Sequence, residues 1–212
     1  MKRMILFAFI MATYCNLSAQ TYWNGARADK KFTFGIRGGV NFSKLYESNY
    51  NVDLNYKFGY HIGIEADINL CQSFSINSGA YFIQKGYKSE IPDAQIKVND
   101  NAKWIDIPLL ASYRIPLSDA TKFQLNVGPY FSFGLSGKWT MESRGGTIDM
   151  DSFDEYDGIK RFDTGISIGC AVTISKLYIG AAYENSFIKI GQQSYDSSKN
   201  RSIIISLGYN FN

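Results

Sequence analysis

The chain has 212 residues, a mass of 23.9 kDa, a formal net charge of +3 and a mean hydropathy of −0.17. This length predicts one domain with a sizeable core, and 15 Tyr and 15 Phe beside 19 Gly and 4 Pro argue against a helix bundle. The mean hydropathy argues against helical membrane spans past the N-terminus, but it suits membrane-spanning β-strands, which are only moderately apolar on average.

The first predicted element is an export signal over residues 1–19. A basic pair at positions 2–3 precedes an apolar run at 5–12, and small residues favour cleavage after Ala19. A membrane anchor is the alternative, but this run is too short to span a bilayer. Cleavage leaves a nearly neutral chain without a basic cluster, so no nucleic-acid partner is expected. A short extension, residues 20–31, then leads into a barrel domain over residues 32–212.

From residue 32 onward the dominant pattern has a period of two, which places alternate side chains on opposite faces of a β-strand. The clearest case runs from Phe123 to Leu135, where every second residue is apolar and the residues between are Gln, Asn, Gly, Tyr and Ser. No stretch has a helical period. Eight such segments are predicted, at residues 32–42, 56–69, 73–87, 102–115, 122–138, 160–174, 176–188 and 201–212.

The connections between these segments alternate in length. Long polar stretches such as 139–159 and 190–200 alternate with brief turns near 70–72, 116–121 and 175. Tight turns at one end and long loops at the other are typical of outer-membrane barrels. The predicted fold is therefore all-β, an eight-stranded antiparallel up-and-down transmembrane β-barrel with both termini on the periplasmic side.

Alternation alone does not say which face points outward, so a soluble barrel of the lipocalin type is the structural alternative. The polar positions of the fifth and eighth segments carry no charge, whereas a water-facing surface would carry many Lys and Glu. Small polar residues suit the crowded lumen of an eight-stranded barrel, which favours the membrane barrel. Aromatic residues near the segment ends would then form two interfacial girdles. They are Phe32, Phe34, Tyr60, Tyr113, Tyr183 and Tyr209.

Charged residues at the predicted inward positions are mixed in sign, so we expect them to pair as a buried polar network. They are Arg37, Lys57, Glu65, Asp67, Asp106, Arg114, Asp163 and Glu184. His61, the only histidine, shares this face, but it lies four strand residues, or about 13 Å, from Glu65. That distance is too long for a base and its orienting group. The sequence therefore predicts a lumen histidine and no catalytic residue, with a barrel enzyme using Ser and His as the alternative.

Acidic residues crowd the segment after the fifth strand. They are Asp149, Asp151, Asp154, Glu155 and Asp157. Oxygen-rich loops bind calcium, but the spacing lacks the EF-hand pattern, so a solvated loop is favoured and no metal or cofactor is predicted. Lys138, Lys160 and Arg161 bracket this loop at the predicted outer rim. There they are candidate contacts for lipopolysaccharide phosphates, with ordinary snorkelling cations as the alternative.

Five short stretches share their pattern with a known family. They are TFGIRGGVNFS at 33–43, IQKGY at 83–87, WIDIPLLASYR at 104–114, GPY at 128–130 and SLGYNF at 206–211. Together they resemble the PorT-like outer-membrane β-barrel family of Bacteroidetes. The resemblance implies a barrel in the outer membrane of a Gram-negative bacterium, and the family's namesake is associated with protein secretion. The last stretch resembles the signal read by the barrel-assembly machinery, with its aromatic residue penultimate.

The sequence thus predicts a non-enzymatic outer-membrane barrel whose function lies in its surface loops and partners. The expected partners are outer-membrane lipid, lipopolysaccharide, the barrel-assembly machinery and envelope or secretion proteins, with an accessory role in secretion as the specific hypothesis. A narrow channel for small solutes is one alternative, which a packed eight-stranded lumen disfavours. A soluble periplasmic binder of the lipocalin type is the other.

Overall fold

The structure is a computed structural model that describes residues 30–46, 54–91, 95–154, 158–191 and 198–211. The predicted export signal at 1–19 and most of the predicted extension at 20–31 lie outside these ranges. Every strand pairing is antiparallel. The described strands are β1 (Phe32–Tyr46), β2 (Leu54–Asn69), β3 (Phe74–Lys85), β4 (Tyr87–Ile91), β5 (Ile96–Pro116), β6 (Thr121–Ser143), β7 (Gly146–Asp151), β8 (Phe162–Ile174), β9 (Leu177–Ser186) and β10 (Lys199–Asn210).

Eight of these strands pair in a closed ring. The order is β1, β2, β3, β5, β6, β8, β9 and β10, and β10 pairs again with β1, for example at Asn210 and Gly35. Closure leaves the ring without a free edge. Three brief turns, at 70–73, 117–120 and 175–176, lie at one end of the ring, the turn end. The longer connections lie at the other end, the loop end.

The described residues form ten strands where the sequence predicts eight. The two additional strands lie at the loop end: β4 follows β3 after Gly86 and pairs with β2 and β5, and β7 folds back onto the end of β6. The predicted segment 73–87 and the predicted loop 139–159 are therefore wrong in part. The apolar residues of this hairpin are few, Trp139 and Met141 on β6 and Ile148 and Met150 on β7, so the alternation is too short to distinguish a hairpin from a polar loop.

The register between β5 and β6 shifts at a bulge between Lys103 and Trp104. On the turn-end side of the bulge, the even-numbered residues of β6 face inward. On the loop-end side, the odd-numbered Trp139 pairs with the buried Asp100 and so shares its inward face. One additional residue in a strand reverses the face that its later side chains occupy. The bulge therefore directs Trp139 toward the interior of the loop end.

Polar and apolar side chains are distributed between the two faces of the ring in the opposite way to a water-soluble protein. Polar and charged residues fill the lumen, while large apolar side chains on the outside remain exposed, Ile62 by 63%. So extensive an apolar surface suits lipid rather than water. The predicted girdle residues lie on this outward face; Phe32, Phe34, Tyr60, Tyr183 and Tyr209 are exposed and Tyr113 is half-buried.

We call this outward surface the apolar band. On β5 it reaches Ile105, since the next outward residues toward the loop end are Lys103 and Asn101. Within the described ranges, no helix is long and apolar enough to cross a bilayer. Representative members of the band are Ile36, Phe58, Ile62, Ile64, Ile107, Leu109, Leu125, Val127, Phe133, Ile168, Ile179, Ile205 and Leu207.

Candidate functional site

Lys85, the last residue of β3, places a fully buried ammonium group in the lumen. The Lys85 Nζ atom lies 2.5 Å from Asp106 Oδ2 and 3.1 Å from Glu184 Oε2. It also donates to Ser132 Oγ at 3.3 Å and lies 4.9 Å from the ring centroid of Tyr130. Buried charges are tolerated where they are paired in this way. We call these residues the Lys85 cluster.

A second cluster surrounds Arg37 of β1, nearer the turn end. The Arg37 Nη2 atom donates to Glu65 Oε1 and to Asn210 Oδ1, each at 2.7 Å. Tyr81 donates its hydroxyl hydrogen to Glu65 Oε2 at 2.5 Å, and the Arg37 guanidinium carbon lies 4.0 Å from the ring centroid of Tyr178. This arrangement satisfies both carboxylate oxygens and combines a charge-assisted hydrogen bond with a cation–π contact.

Arg114 and Asp67 form the ion pair nearest the turn end, with 2.9 Å between Arg114 Nη2 and Asp67 Oδ2. Arg114 also donates to the side-chain oxygen of Asn69, and Asn77 donates to Asp67 Oδ1 at 3.0 Å. Arg114, Asp67 and Asn69 line a cavity of about 830 Å³ at the turn end, which Arg37 and Lys122 also line. We call this cavity the vestibule.

Asp163 is a lumen carboxylate that accepts hydrogen bonds from neutral side chains. Ser186 donates to its Oδ1 atom at 2.5 Å, while Asn200 and Tyr130 donate to its Oδ2 atom at 3.0 and 3.3 Å. Lys57 lies nearer the loop end, where its Nζ atom donates to the main-chain oxygen of Asp100 at 2.5 Å. The structure thus brings together Arg37 with Glu65, Arg114 with Asp67, and Asp106 with Glu184 through Lys85. It leaves Asp163 and Lys57 with neutral partners.

His61 forms a hydrogen bond that the sequence does not predict. Its Nε2 atom lies 2.9 Å from Ser206 Oγ of β10, because Gly39 of β1 lies between these strands and pairs with both residues. A Cβ atom on Gly39 would collide with the His61 ring. Within the described chain, His61 Nδ1 is buried without a hydrogen-bond partner. Catalytic Ser–His pairs rely on a third group to orient the imidazole, and this pair has none.

Apolar residues close the lumen at the loop end. Trp104 of β5 is 1% exposed and meets Phe153, from the segment after β7, with ring centroids 5.1 Å apart and planes at 74°. Ile83 and Ala102 complete this group, the apolar cap. A Cβ atom on Gly134 of β6 would collide with the Phe153 ring. The absence of a side chain at Gly134 therefore lets Phe153 enter the lumen mouth.

The predicted rim cations lie near the loop end. Lys138 Nζ is 2.9 Å from Asp149 Oδ2 in an exposed ion pair. Arg161 donates to the main-chain oxygens of Gly134 and Leu135, at 3.3 and 3.0 Å. Lys160 Nζ donates to the main-chain oxygen of residue 189 at 3.3 Å. Two of the three cations thus bind main-chain oxygens rather than carboxylates.

The acidic segment is partly a strand. Asp149 and Asp151 belong to β7, and Asp154 follows it, whereas Glu155 and Asp157 lie outside the described residues. Asp149 accepts from Thr140 at 2.8 Å and Asp151 from the amide of Phe153 at 2.8 Å. In the part of the chain that the structure describes, no group of three or more His, Cys, Asp or Glu is placed to bind a metal ion.

Three important lumen residues are not among the predicted site residues. Lys85 lies on the inward face of a predicted strand, and this position was a sufficient signal for it. Ser206 and Phe153 had no such signal. The Ser206 contact depends on the pairing of the first and last strands, and the Phe153 contact depends on the path of a connecting segment.

Comparison with known proteins identifies the architecture. A family model described as an outer membrane protein beta-barrel domain matches residues 18–192. No curated protein matches the sequence. The chain is similar to the solved structure of the outer membrane protein OprG from Pseudomonas aeruginosa, with a TM-score of 0.50 and 12% identity, covering 89% of this chain and 98% of that chain. The OprG likeness shows the fold alone.

Two further solved structures are similar to this chain. For Ail, the attachment invasion locus protein of Yersinia pestis, the TM-score is 0.47 and the identity 15%, covering 86% of this chain and 100% of that chain. For Neisserial surface protein A the TM-score is 0.44 and the identity 13%, covering 84% of this chain and 97% of that chain.

The family match covers most of the chain and agrees with the closed antiparallel ring, the polar lumen and the exposed apolar band. It decides against the soluble lipocalin-type alternative and confirms the predicted outer-membrane localisation. This chain belongs to the family of outer membrane protein β-barrel domains and is an all-β antiparallel barrel located in the outer membrane, in an environment of lipid and lipopolysaccharide.

Proposed function

We propose that this protein is a non-enzymatic, non-conducting barrel whose eight ring strands span the outer membrane and whose loop end contacts partners at the cell envelope. The contact between Lys85 and Glu184 carries this proposal. These residues belong to β3 and β9, which are four places apart in the ring of eight, so their side chains bridge the lumen. The predicted lumen network, comprising Arg37, His61, Glu65, Asp67, Asp106, Arg114, Asp163 and Glu184, then has a structural role.

The distribution of the connections supports one orientation in the membrane. Outer-membrane barrels have short periplasmic turns and longer extracellular loops, so the turn end faces the periplasm and the loop end faces outward. The ends of β5 and β6 and the hairpin strand β7 extend beyond the apolar band on that side. They form the surface that is accessible to other molecules.

The geometry around His61 supports the absence of catalysis. A Ser–His nucleophile needs an orienting group on the second imidazole nitrogen and room for a substrate beside the hydroxyl. His61 Nδ1 has no hydrogen-bond partner among the described residues, and the cavity that His61 and Ser206 line has a volume of only about 80 Å³. Their hydrogen bond is then one of the structural contacts of the lumen.

Lys138, Lys160 and Arg161 are the proposed contacts for lipopolysaccharide phosphates. Main-chain oxygens orient Lys160 and Arg161 without neutralising their charge, which favours these two over Lys138 with its carboxylate partner. Charge-assisted bonds from such groups to phosphate oxygens are among the stronger protein hydrogen bonds. The final strand, with Phe211 after it, is the proposed recognition element for the barrel-assembly machinery.

A labelling experiment tests the topology. Starting from a background in which the free cysteines Cys71 and Cys170 are replaced by serine, single cysteines are introduced as Gly145→Cys at the loop end and Asp119→Cys at the turn end. A membrane-impermeant maleimide applied to intact cells should label position 145, and should label position 119 only after permeabilisation. The reverse pattern, or equal labelling in intact cells, would overturn the proposed orientation.

A narrow channel is the second candidate function, which the vestibule of about 830 Å³ favours. It would require the Lys85 cluster and the apolar cap to separate, and conductance measurements decide between the two. The PorT-like assignment, the Bacteroidetes origin and the accessory role in secretion rest on the sequence resemblance and stay predictions. A deletion strain that exports the same proteins as the wild type would remove the secretion hypothesis.

A further inference from the structure

A further pocket, of about 270 Å³, lies at the loop end, separate from the lumen clusters. Trp139 of β6 and Met150 of β7 belong to its lining, together with Tyr87 of β4. Two carboxylates, Asp100 and Asp151, also line it. The pocket therefore combines aromatic and thioether groups with negative charge.

The aromatic part of the pocket is held in place by a hydrogen bond. Trp139 donates its indole N–H to the Tyr87 hydroxyl at 3.0 Å, so the one polar group of the indole is satisfied. The register shift in β6 directs this side chain inward rather than toward the membrane surface. Indole rings attract cations to their faces, and a thioether adapts its shape to a bound group.

The carboxylate of Asp100 supplies the charge. Asp100 is 2% exposed, and its carboxylate accepts a hydrogen bond from the hydroxyl of Ser152. The neighbouring Lys57 donates to the main-chain oxygen of Asp100 and to the amide oxygen of Asn99, each at 2.5 Å. The Lys57 ammonium therefore lies close enough to attract the Asp100 carboxylate, but no ion pair joins the two among the described residues, which leaves this buried charge only partly compensated.

The charged side chains that line the pocket are both carboxylates, and Lys57 offsets part of the Asp100 charge from outside that lining. Asp151 contributes a second carboxylate at its edge, where one oxygen accepts from the amide of Phe153. Neither lysine nor arginine is among the described residues that line the pocket. Its volume of about 270 Å³ lies at the lower limit for small-molecule sites, which typically measure about 300–1,000 Å³. A small ligand or a single side chain is therefore the appropriate size.

We propose that this pocket binds an organic cation, an ammonium or guanidinium group on a short apolar stem, with its charge beside Asp100 and its stem against Trp139 and Met150. The source of the cation is either a free amine or a basic side chain of another protein. This inference goes beyond the proposed function, because it depends on the local geometry of the pocket and holds for either orientation in the membrane.

The test uses the full-length mature protein refolded in maltoside micelles and choline as the probe. The indole N–H resonance of Trp139 should shift saturably as choline is added, while that of Trp104 in the apolar cap should not. The uncharged isostere 3,3-dimethyl-1-butanol should bind at least about tenfold more weakly, since a hydrogen bond or ion contact with a charged group is worth that factor. N-acetyl-lysine methylamide forms the second arm, and whichever cation binds more tightly identifies the source.

Matched variants decide whether the carboxylate acts as proposed. Asp100→Asn should weaken choline binding at least about tenfold, while Asp149→Asn, on β7 beside Lys138 and outside the pocket, should leave it unchanged. Asp151→Asn gives a second test at the pocket edge if Asp100→Asn does not refold. The inference is overturned if neither cation produces a saturable shift, if the neutral isostere binds equally well, or if the carboxylate variants bind choline like the wild type.

Discussion

Lys85 of β3 and Glu184 of β9 lie on opposite sides of the ring, yet Lys85 Nζ and Glu184 Oε2 are 3.1 Å apart. Phe153 and Trp104 close the lumen nearer the loop end, with ring centroids 5.1 Å apart. The barrel is thus obstructed at two successive levels, first by an ion pair and then by aromatic packing.

Replacing Lys85 with methionine should destabilise the barrel strongly. The Lys85→Met variant leaves Asp106 and Glu184 buried without their cation, and breaking such an ion pair lowers the free energy of unfolding by about 3–5 kcal/mol. Urea unfolding of the protein in lipid vesicles measures the loss. Lys103→Met, on the outward face of β5, is the matched control and should change stability by less than about 0.5 kcal/mol. Equal effects of the two variants would contradict a stabilising Lys85 cluster.

The apolar band predicts a strong dependence on position for charged substitutions. Ile62→Arg, near the middle of the band on β2, should lower the free energy of unfolding in lipid by about 2–4 kcal/mol, the cost of an arginine at the bilayer midplane. Ile148→Arg on β7 should cost little, because Ile148 is equally an exposed apolar residue but lies in the hairpin beyond the band. Similar costs at the two positions would place the membrane boundary elsewhere.

Gly134 is predicted to control the position of Phe153. The Cβ atom of Gly134→Ala would collide with the Phe153 ring and displace it from the apolar cap, so amide hydrogen exchange at residues 152–154 should accelerate. Overpacking of this kind typically lowers stability by about 1–3 kcal/mol. Gly145→Ala, where an added Cβ finds only the Ser143 side chain within 4 Å, serves as the control. Unchanged exchange in Gly134→Ala would mean that Phe153 does not depend on this space.

The pKa of Asp100 should lie above the ordinary aspartate value, and the pKa of Asp149 should lie below it. Both lie beyond the apolar band. Burial raises the pKa of Asp100 from 3.8 to about 6, whereas hydrogen bonds from Lys138 and Thr140 lower the pKa of Asp149 below 3.8. Carboxyl carbon shifts in NMR spectra, recorded between pH 2 and 8 (roughly two units either side of these values), measure both midpoints.

The direction of the Asp100 shift fixes its effect on stability. Folded protein holds this proton more tightly than the unfolded chain, so the contribution of Asp100 to stability is greatest below its ordinary pKa of 3.8 and is lost as the pH rises through about 6. Ser152→Ala should raise the Asp100 pKa further, since the Ser152 hydrogen bond favours the ionised form. A midpoint near 4 (the ordinary value) in the wild type would show that Asp100 is not buried as described.

The strands of the ring could be predicted from the sequence because lipid on one side and a polar lumen on the other impose a period of two. The alternation from Phe123 to Leu135 is visible without a structure for this reason. Beyond the apolar band lipid no longer contacts the outward face, and the few apolar residues there, such as Trp139 and Met150, do not distinguish a hairpin from a loop. The extension of β6 to Ser143 and the presence of β7 were therefore missed.

The contacts within the lumen are harder to predict from the sequence than the choice of side chains that face inward. Period-two alternation places Arg37, Glu65 and Glu184 inside, but it does not specify which charges meet across the lumen. The contact between Lys85 and Glu184 depends on the number of strands in the ring, and that between His61 and Ser206 on its closure through β1. Such contacts between strands far apart in sequence depend on strand register, which cannot be read from the sequence of one protein.

Planar-bilayer recording shows whether the lumen is obstructed in the native protein. Purified protein is first refolded and shown by urea unfolding to be native, and is then inserted into a bilayer of defined lipid. We expect no steady conductance for the wild type, because the Lys85–Glu184 contact and the Phe153–Trp104 packing bridge the lumen. A steady, ohmic conductance from the native protein would contradict it and establish the channel instead.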